Sequence, residues 1–490
     1  MKRIISLVLI SILLANAGAL SAKNVGVPSE SEDVMLQAFY WDSYKNQSST
    51  DSKYGRTKWV DLRKDSVAIC SDFDLVWFPP SAFGDGGNGK GGVGYIPKNF
   101  TDQTSDWGQA STLEKLIATL HANGTKVVAD IVINHHGNST SWCTFFEDNF
   151  GQYGKFQLTQ KHMCSNDEGF TDSRSSCYQA PSSERGAADS GTNFEGARDL
   201  DHTNVYVQNW SKAYLKWMLN VMKYDGFRYD MTLGFAGRYL QMYNESAQPY
   251  FSVSEYWEGI DKQVGHLMAT NYNTMIFDFP LKYVFNNALR VKNYRLLVNP
   301  SNSLRGKGYG KYAVTFIDNH DTFERSDAQG QQFLGYQADM NNVENKNKIL
   351  QANAYILMLP GIPCVFYPHW KSYQEEISAL IAVRKKAGIH SESAVEEGVE
   401  NNVYEAKITG HRGTVIFRLG ANRSKEAPEG YTVALEGGSV ADYTIFYKEG
   451  AQGISNVQGD KTQGTKVIEN GVLYLEYNGT KYNVQGMKVN

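Results

Sequence analysis

The 490-residue chain is short of several things, and each shortage removes a class of function. Beyond the first two dozen residues no apolar run approaches the roughly 18 residues that a membrane span needs. No long run of Lys and Arg appears, and the formal net charge is -4 with a pI near 6.2, so nothing offers the footprint of a polyanion-binding surface. Cysteine is scarce at five residues, and no C-x-x-C spacing occurs, which makes a zinc site the weaker reading of those present. Tryptophan is missing altogether after residue 394, although nine precede it. That absence argues against a terminal starch-binding module built on exposed tryptophans.

What is present begins with MKRIISLVLISILLANAGALSA. Lys2 and Arg3 precede an apolar stretch from Ile4 to Leu14, and small residues follow. This is the layout of a secretory signal peptide, with cleavage after Ala17 or Ala22. The expectation is an exported soluble protein, periplasmic or extracellular, with residues 1–22 removed. Cys70 and Cys364 lie in apolar segments and read as buried thiols. Cys143, Cys164 and Cys177 crowd one loop-rich region, where export permits two of them to pair; which two is not readable.

From Val34 to about Ala387 short β-rich runs alternate with longer amphipathic ones. VMLQAFY, DLVWFPP, KVVADIVIN, GFRYD, FSVSE, MIFDF, AVTFID and PCVFY are the short runs. STLEKLIATLHANG, with Ser111 as its expected cap, and SYQEEISALIAVRKKAG are helical and end at glycine. Eight strands alternating with helices predict a (β/α)8 barrel. A doubly wound sheet fits the alternation too, but no glycine-rich phosphate loop accompanies it. The barrel is expected in two parts, 23–134 and 205–393. Between them, 135–204 is an inserted loop-rich domain following the third strand, since a structureless loop of that length is improbable. Residues 394–490 read as a C-terminal antiparallel β-sandwich.

Barrel chemistry gathers where strands end at their carboxyl side. Strand three ends Asp130-Ile-Val-Ile-Asn134-His135, strand four Arg228-Tyr-Asp230, strand five Glu255-Tyr-Trp257, and strand seven Asp318-Asn-His320-Asp321. Arg228 and Asp230 are two apart, hence on one face of a strand, as burial of a charge beside its partner requires. One such pair is ordinarily structural; four charged strand ends on one rim are not.

DIVINH, GFRYD, SEYW and FIDNHD resemble, in order, the four short motifs of the alpha-amylase family of glycoside hydrolases. GYIP at 94–97, ARDLDH at 197–202 and PGIPCVFYPHW at 360–370 are similar to further family segments, the last in the version of plant-like bacterial members. The resemblance implies an endo-acting, retaining hydrolase of α-1,4-glucans, expected to be a monomer, with no nucleic-acid or membrane partner. Asp230 matches the nucleophile, Glu255 the acid/base and Asp321 the third carboxylate. Arg228 matches the residue that keeps Asp230 ionised, while crowding among the carboxylates is expected to hold Glu255 protonated. His135 and His320 match sugar-hydroxyl ligands, Tyr95 a stacking platform, and Trp257 a lining of the same cleft. A Ca²⁺ ion is implied too, held by Asn134, Asp199 and the carbonyl of Gly234; Asp189 is a further carboxylate that no motif places. Two positions depart from the family pattern. Leu233 stands where many members carry Lys or Arg, and Arg198 where many carry proline.

Overall fold

The computed structural model describes residues 25–45, 54–86, 92–323 and 343–450, and beyond them the strand residues 465–469, 472–477, 480–482 and 488–489. The expected signal segment lies outside the described residues. No helix among those described is long and apolar enough to cross a membrane.

Eight strands, each wholly buried or nearly so, close into one barrel. They are β1 (Met35–Gln37), β2 (Leu75–Trp77), β3 (Lys126–Ile131), β4 (Gly226–Tyr229), β5 (Phe251–Ser254), β6 (Met275–Phe277), β7 (Ala313–Phe316) and β8 (Ile362–Phe366). Each pairs in parallel with its neighbour in sequence, and β1 closes on β8. A helix follows every strand: α1 (Trp59–Asp72), α2 (Ala110–Ala122), α3 (Val205–Asn220), α4 (Gly237–Ala247), α5 (Ile260–Ala269), α6 (Phe279–Arg290), α7 (Val343–Met358) and α8 (Gln374–Ala387). Strands flanked by helices outside and by side chains inside are buried on both faces, which is why they read as continuous apolar runs.

The helices form for ordinary reasons. In α2 the buried residues Leu113, Leu116, Ile117 and Leu120 make one stripe at helical spacing. Asn204 caps α3, its side chain accepting from Tyr206 N at 2.9 Å. Gly388 stops α8 at φ +68°, a conformation that favours glycine. Ser111 is not the cap of α2: the helix starts one residue before it, and Gln109 takes the cap position without a side-chain bond. Backbone geometry at Gln109–Ala110 outweighed the local preference of serine.

The insertion after β3 is tied down by short pieces. His135–His136 pair antiparallel with Arg198–Asp199, and Thr144–Asn149 form a hairpin with Lys155–Thr159. Cys143 and Cys177 are disulfide-bonded, and Cys164 is a buried free thiol. Past residue 394 the described chain is entirely antiparallel: one five-stranded sheet over 394–449 and one of four strands over 465–489.

Candidate active site

The register of β3 against β4 sets Asp130 directly opposite Arg228, both facing the barrel interior. Arg228 is 1% exposed, and its guanidinium is shared among three carboxylates. Nη1 donates to Asp130 Oδ1 and to Asp230 Oδ1, each at 2.7 Å, and Nη2 meets Glu255 Oε2 at 2.9 Å. Asp130 is steadied in turn, its Oδ2 accepting from Tyr95 OH at 2.8 Å and from Trp77 Nε1 at 3.1 Å. Just past Asp230 the chain turns sharply, with Met231 at φ +44°. A left-handed conformation in a long side chain is strained, and here it aims Met231 N–H at Glu255 Oε2, 2.9 Å away.

Burial is the largest influence on these carboxylates. It lifts Asp130 and Asp230 to about 6, against the pull of Arg228. Glu255 is raised as well, by burial first and by the neighbouring Asp230, again with Arg228 opposing. Keeping Asp230 ionised, the role expected of Arg228, is thus opposed by burial. Arg228 does favour its ionised form, but desolvation outweighs the arginine, and Asp230 ends above the usual carboxylate range while still ionising below neutral pH.

The turn after β7 supplies the other wall. Gln37 Nε2 donates to His320 Nδ1 at 2.8 Å, which leaves the His320 Nε2–H facing Asp321 Oδ2 at 3.1 Å. Asp321 also adds to the negative field that raises Asp230, so it shares the cleft. Tyr95 lies parallel to His320 at 5.1 Å between centroids, and Trp41 lies parallel to His320 at 6.2 Å. Sequence reasoning passed over Trp41; its position just beyond β1, in an aromatic FYW run, was the available signal. It also passed over Lys282 and His369. Lys282, on α6 and fully buried, donates to Ile317 O at 2.7 Å and Asp318 Oδ1 at 2.8 Å, and His369 Nε2 is 3.3 Å from Asp318 Oδ2. These contacts brace the turn carrying His320 and Asp321, but no spacing in sequence announces them.

Two further expected residues have partners other than the carboxylates. His135 is buried, its Nε2 donating to Tyr95 O at 2.8 Å and its ring stacked on Phe194. Burial pushes it down to about 4, so it is neutral at pH 7. Trp257 stacks on Phe279 at 4.6 Å and donates to Tyr283 OH at 2.8 Å.

Asn134, Asp199 and Gly234 come together in a second cluster. The His135–Asp199 pairing lays the insertion along the end of β3, and Asn134 Nδ2 donates to Asp199 Oδ1 at 3.2 Å. Gly234 closes on Asn134 Oδ1 so tightly that a Cβ would sit 1.8 Å from it. Asp189, unplaced by any motif, joins them: its carboxyl and that of Asp199 influence one another, and its Oδ2 is buried with no hydrogen-bond partner. Asp199 is driven to about 9 by burial, with Asp189 and Asp167 adding repulsion. Amide and carboxylate oxygens converging around an orphaned buried acceptor form a donor set suited to a hard divalent cation. Arg198, at the departure from the family's proline, is buried beside this cluster. It pairs with Glu168, stands 3.5 Å from Asp167 and lies over the Trp142 ring.

Residues 74–278 match the family described as alpha amylase, catalytic domain. Alpha-amylase 3, chloroplastic, of Arabidopsis thaliana is 28% identical over 441 residues, covering 84% of this chain; the chain spans 44% of that relative's length. The alpha-amylase type B isozyme of Hordeum vulgare is 34% identical over 141 residues, 28% of this chain and 80% of the relative. Among solved structures, an Anoxybacillus alpha-amylase superposes with a TM-score of 0.60 at 15% identity, covering 86% of this chain and 99% of its own. With the closed barrel, the charged strand ends and these likenesses together, the chain belongs to the alpha-amylase family of glycoside hydrolases.

Proposed function

We propose that this chain is an exported, monomeric, endo-acting alpha-amylase that hydrolyses α-1,4 bonds of starch- or glycogen-type glucans with retention. The observation that carries the reading is the single guanidinium of Arg228 holding Asp230 and Glu255 together at adjacent strand ends. A retaining mechanism needs two carboxyl groups about 5–5.5 Å apart, one as nucleophile and one as acid/base. Asp230 attacks the anomeric carbon while the proton of Glu255 passes to the departing glycosidic oxygen. Ionised Glu255 then takes a proton from water as that water breaks the Asp230 ester. Asp321 steadies the distorted sugar and the positive charge that develops on it. Tyr95 stacks against that sugar and His320 offers it a hydrogen bond; His135 and Trp257 shape the same cleft.

The proposal includes the division into a barrel (23–134 and 205–393), an inserted domain (135–204) and a C-terminal domain (394–490). It includes Ca²⁺ at the insertion, held by Asn134, Asp199 and the Gly234 carbonyl, with Asp189 as an added carboxylate. The ion would supply the positive charge that this cluster lacks and tie the insertion to β3. Export to the periplasm or medium rests on the leader-like start.

A second reading, a maltooligosaccharide hydrolase or transglycosylase of the same family, is favoured by Leu233, which removes a polar group expected on the leaving-group side. Starch and maltooligosaccharide digests with products sized over time separate the two. Early internal cleavage of starch is expected; longer glucans built from short ones would favour the transferase.

A further inference from the structure

At the end of the barrel opposite the carboxylate cluster, three segments distant in sequence meet. Residues 29–33 lead into β1, residues 390–393 follow α8, and His411–Arg412 form the turn between the second and third C-terminal strands. The leading segment is fastened first. Ser31 N donates to Ser391 Oγ at 3.1 Å and Ser391 N to Ser31 O at 2.8 Å, while Glu30 N donates to Glu392 Oε1 at 3.0 Å. The turn is fastened too, through His411 N to Gly388 O at 2.9 Å and Arg412 N to Ala387 O at 3.0 Å. Glu30 sits at φ +45°, a left-handed conformation that a glutamate seldom adopts without a local reason.

We propose that Glu30, His390 and His411 form a site for a first-row divalent transition ion such as Zn²⁺. One ligand atom from each lies within 4.8 Å of the others, and Glu30 Oε2 is 3.8 Å from His411 Nε2. The far nitrogen of His411 is already committed: Nδ1–H meets Glu32 Oε1 at 2.9 Å. A carboxylate on the outer nitrogen fixes the tautomer that leaves the inner nitrogen as a lone-pair donor, the usual support of a metal-bound imidazole. Arg412 holds Glu32 from the other side, Nη1 donating to Oε1 at 3.0 Å. Two imidazoles and a carboxylate suit Zn²⁺, with water completing a tetrahedron, and suit Ca²⁺ poorly.

The ordinary reading is a solvated group of ion pairs, which contributes little stability. It accounts for Glu32 and Arg412 but not for two imidazoles stacked at 4.1 Å beside a strained glutamate. Binding requires movement. The rings are parallel to within 12°, so a shared ion needs the His411 ring to turn out of the stack, and its 40% exposure leaves that turn open. His390 must also release the 3.3 Å bond that its Nδ1 accepts from Glu392 N–H. An ion here would join the start of the barrel, its end and the C-terminal sheet, so it would act on stability rather than on turnover.

The test is a Co²⁺ titration of the full chain with Ca²⁺ kept in excess, followed by visible absorption. Tetrahedral Co²⁺ bands are expected in the parent, displaced by Zn²⁺, and lost in both His411→Ala and Glu30→Ala. Both side chains are exposed, so these variants should fold and hydrolyse glucan as the parent does. Glu32→Gln should weaken binding by about 10–100-fold. Zn²⁺ should raise the melting temperature of the parent but not of His411→Ala. Absence of the bands in the parent overturns the site. So does an unchanged titration in either His411→Ala or Glu30→Ala, or bands that vanish only in Asp199→Ala.

Discussion

Two buried carboxylate clusters lie within one stretch of chain, and they are balanced in opposite ways. Around Arg228, three carboxylates share a cation that the chain itself supplies. Around Asp199, the carboxylates of Asp167 and Asp189 press on a third, and Arg198 approaches only Asp167 and Glu168. The outcome differs accordingly: Asp230 stays near 6, whereas Asp199 reaches about 9. A cluster with its own cation stays poised for chemistry whatever the solution holds. On the calcium proposal, a cluster without one takes its cation from solution, and its folding becomes linked to that ion.

The strongest way to separate the two clusters is to neutralise single groups. Glu255→Gln and Asp230→Asn should each lower turnover by about 10²–10⁴-fold while leaving the fold and the response to calcium intact. Near-parental starch hydrolysis by either purified variant would sink the assignment. Arg228→Leu removes the shared cation and leaves buried carboxylates facing one another. A loss of about 3–5 kcal/mol in stability is expected, measured by denaturant unfolding, together with loss of activity. If Arg228→Leu unfolds at the parent's midpoint, the guanidinium does not balance that cluster.

For the insertion the corresponding operation is chelation. Calcium at a hundredfold excess over its dissociation constant should stabilise the fold by roughly 2.7 kcal/mol, so the chelated protein should melt lower and regain its midpoint with Ca²⁺ better than with Mg²⁺. Asp199→Ala should lose most of that response. A metal-free protein that melts like the untreated one would refute the calcium proposal.

The most gradual effect is in pH dependence. The carboxyl of Asp230 rises from 3.8 to about 6 in the fold, so the folded state holds a proton there that the unfolded chain has released. Its contribution to stability is present below the ordinary value and is lost as pH rises through about 6. Activity should run the other way, since attack requires the ionised form. Over this window kcat/KM should climb while the unfolding free energy falls, by at most about 1.36 kcal/mol per pH unit for one group. Asp230→Asn should flatten the stability trend; an unaltered trend would place the titration elsewhere.

How far the sequence reached follows from how local each feature is. Burial on both faces makes each barrel strand an apolar run, and Arg228 and Asp230 share a face because side chains alternate along a strand. The Arg228–Asp130 pair is already less local, because it depends on the register between strands 98 residues apart. Asp189 was named in sequence only as a carboxylate that no motif places: it lies in a Ser- and Gly-rich loop, which the Thr192 N–H to Leu233 O bond of 2.9 Å ties to the turn carrying Gly234. The bridge of Cys143 to Cys177, leaving Cys164 free, had three equal candidates in sequence and was decided by the path of the insertion.

By itself, then, the sequence determined the periodicities, and with them the eight strands, their helices and the charged residues on the strand ends. Tertiary structure alone decided which charges meet, which cysteines bond, and that burial outweighs Arg228 at Asp230. The physical reason is range. Alternation and amphipathicity are written in neighbouring residues, whereas pairing and desolvation depend on atoms that folding brings from far along the chain, 98 positions in the case of Arg228 and Asp130.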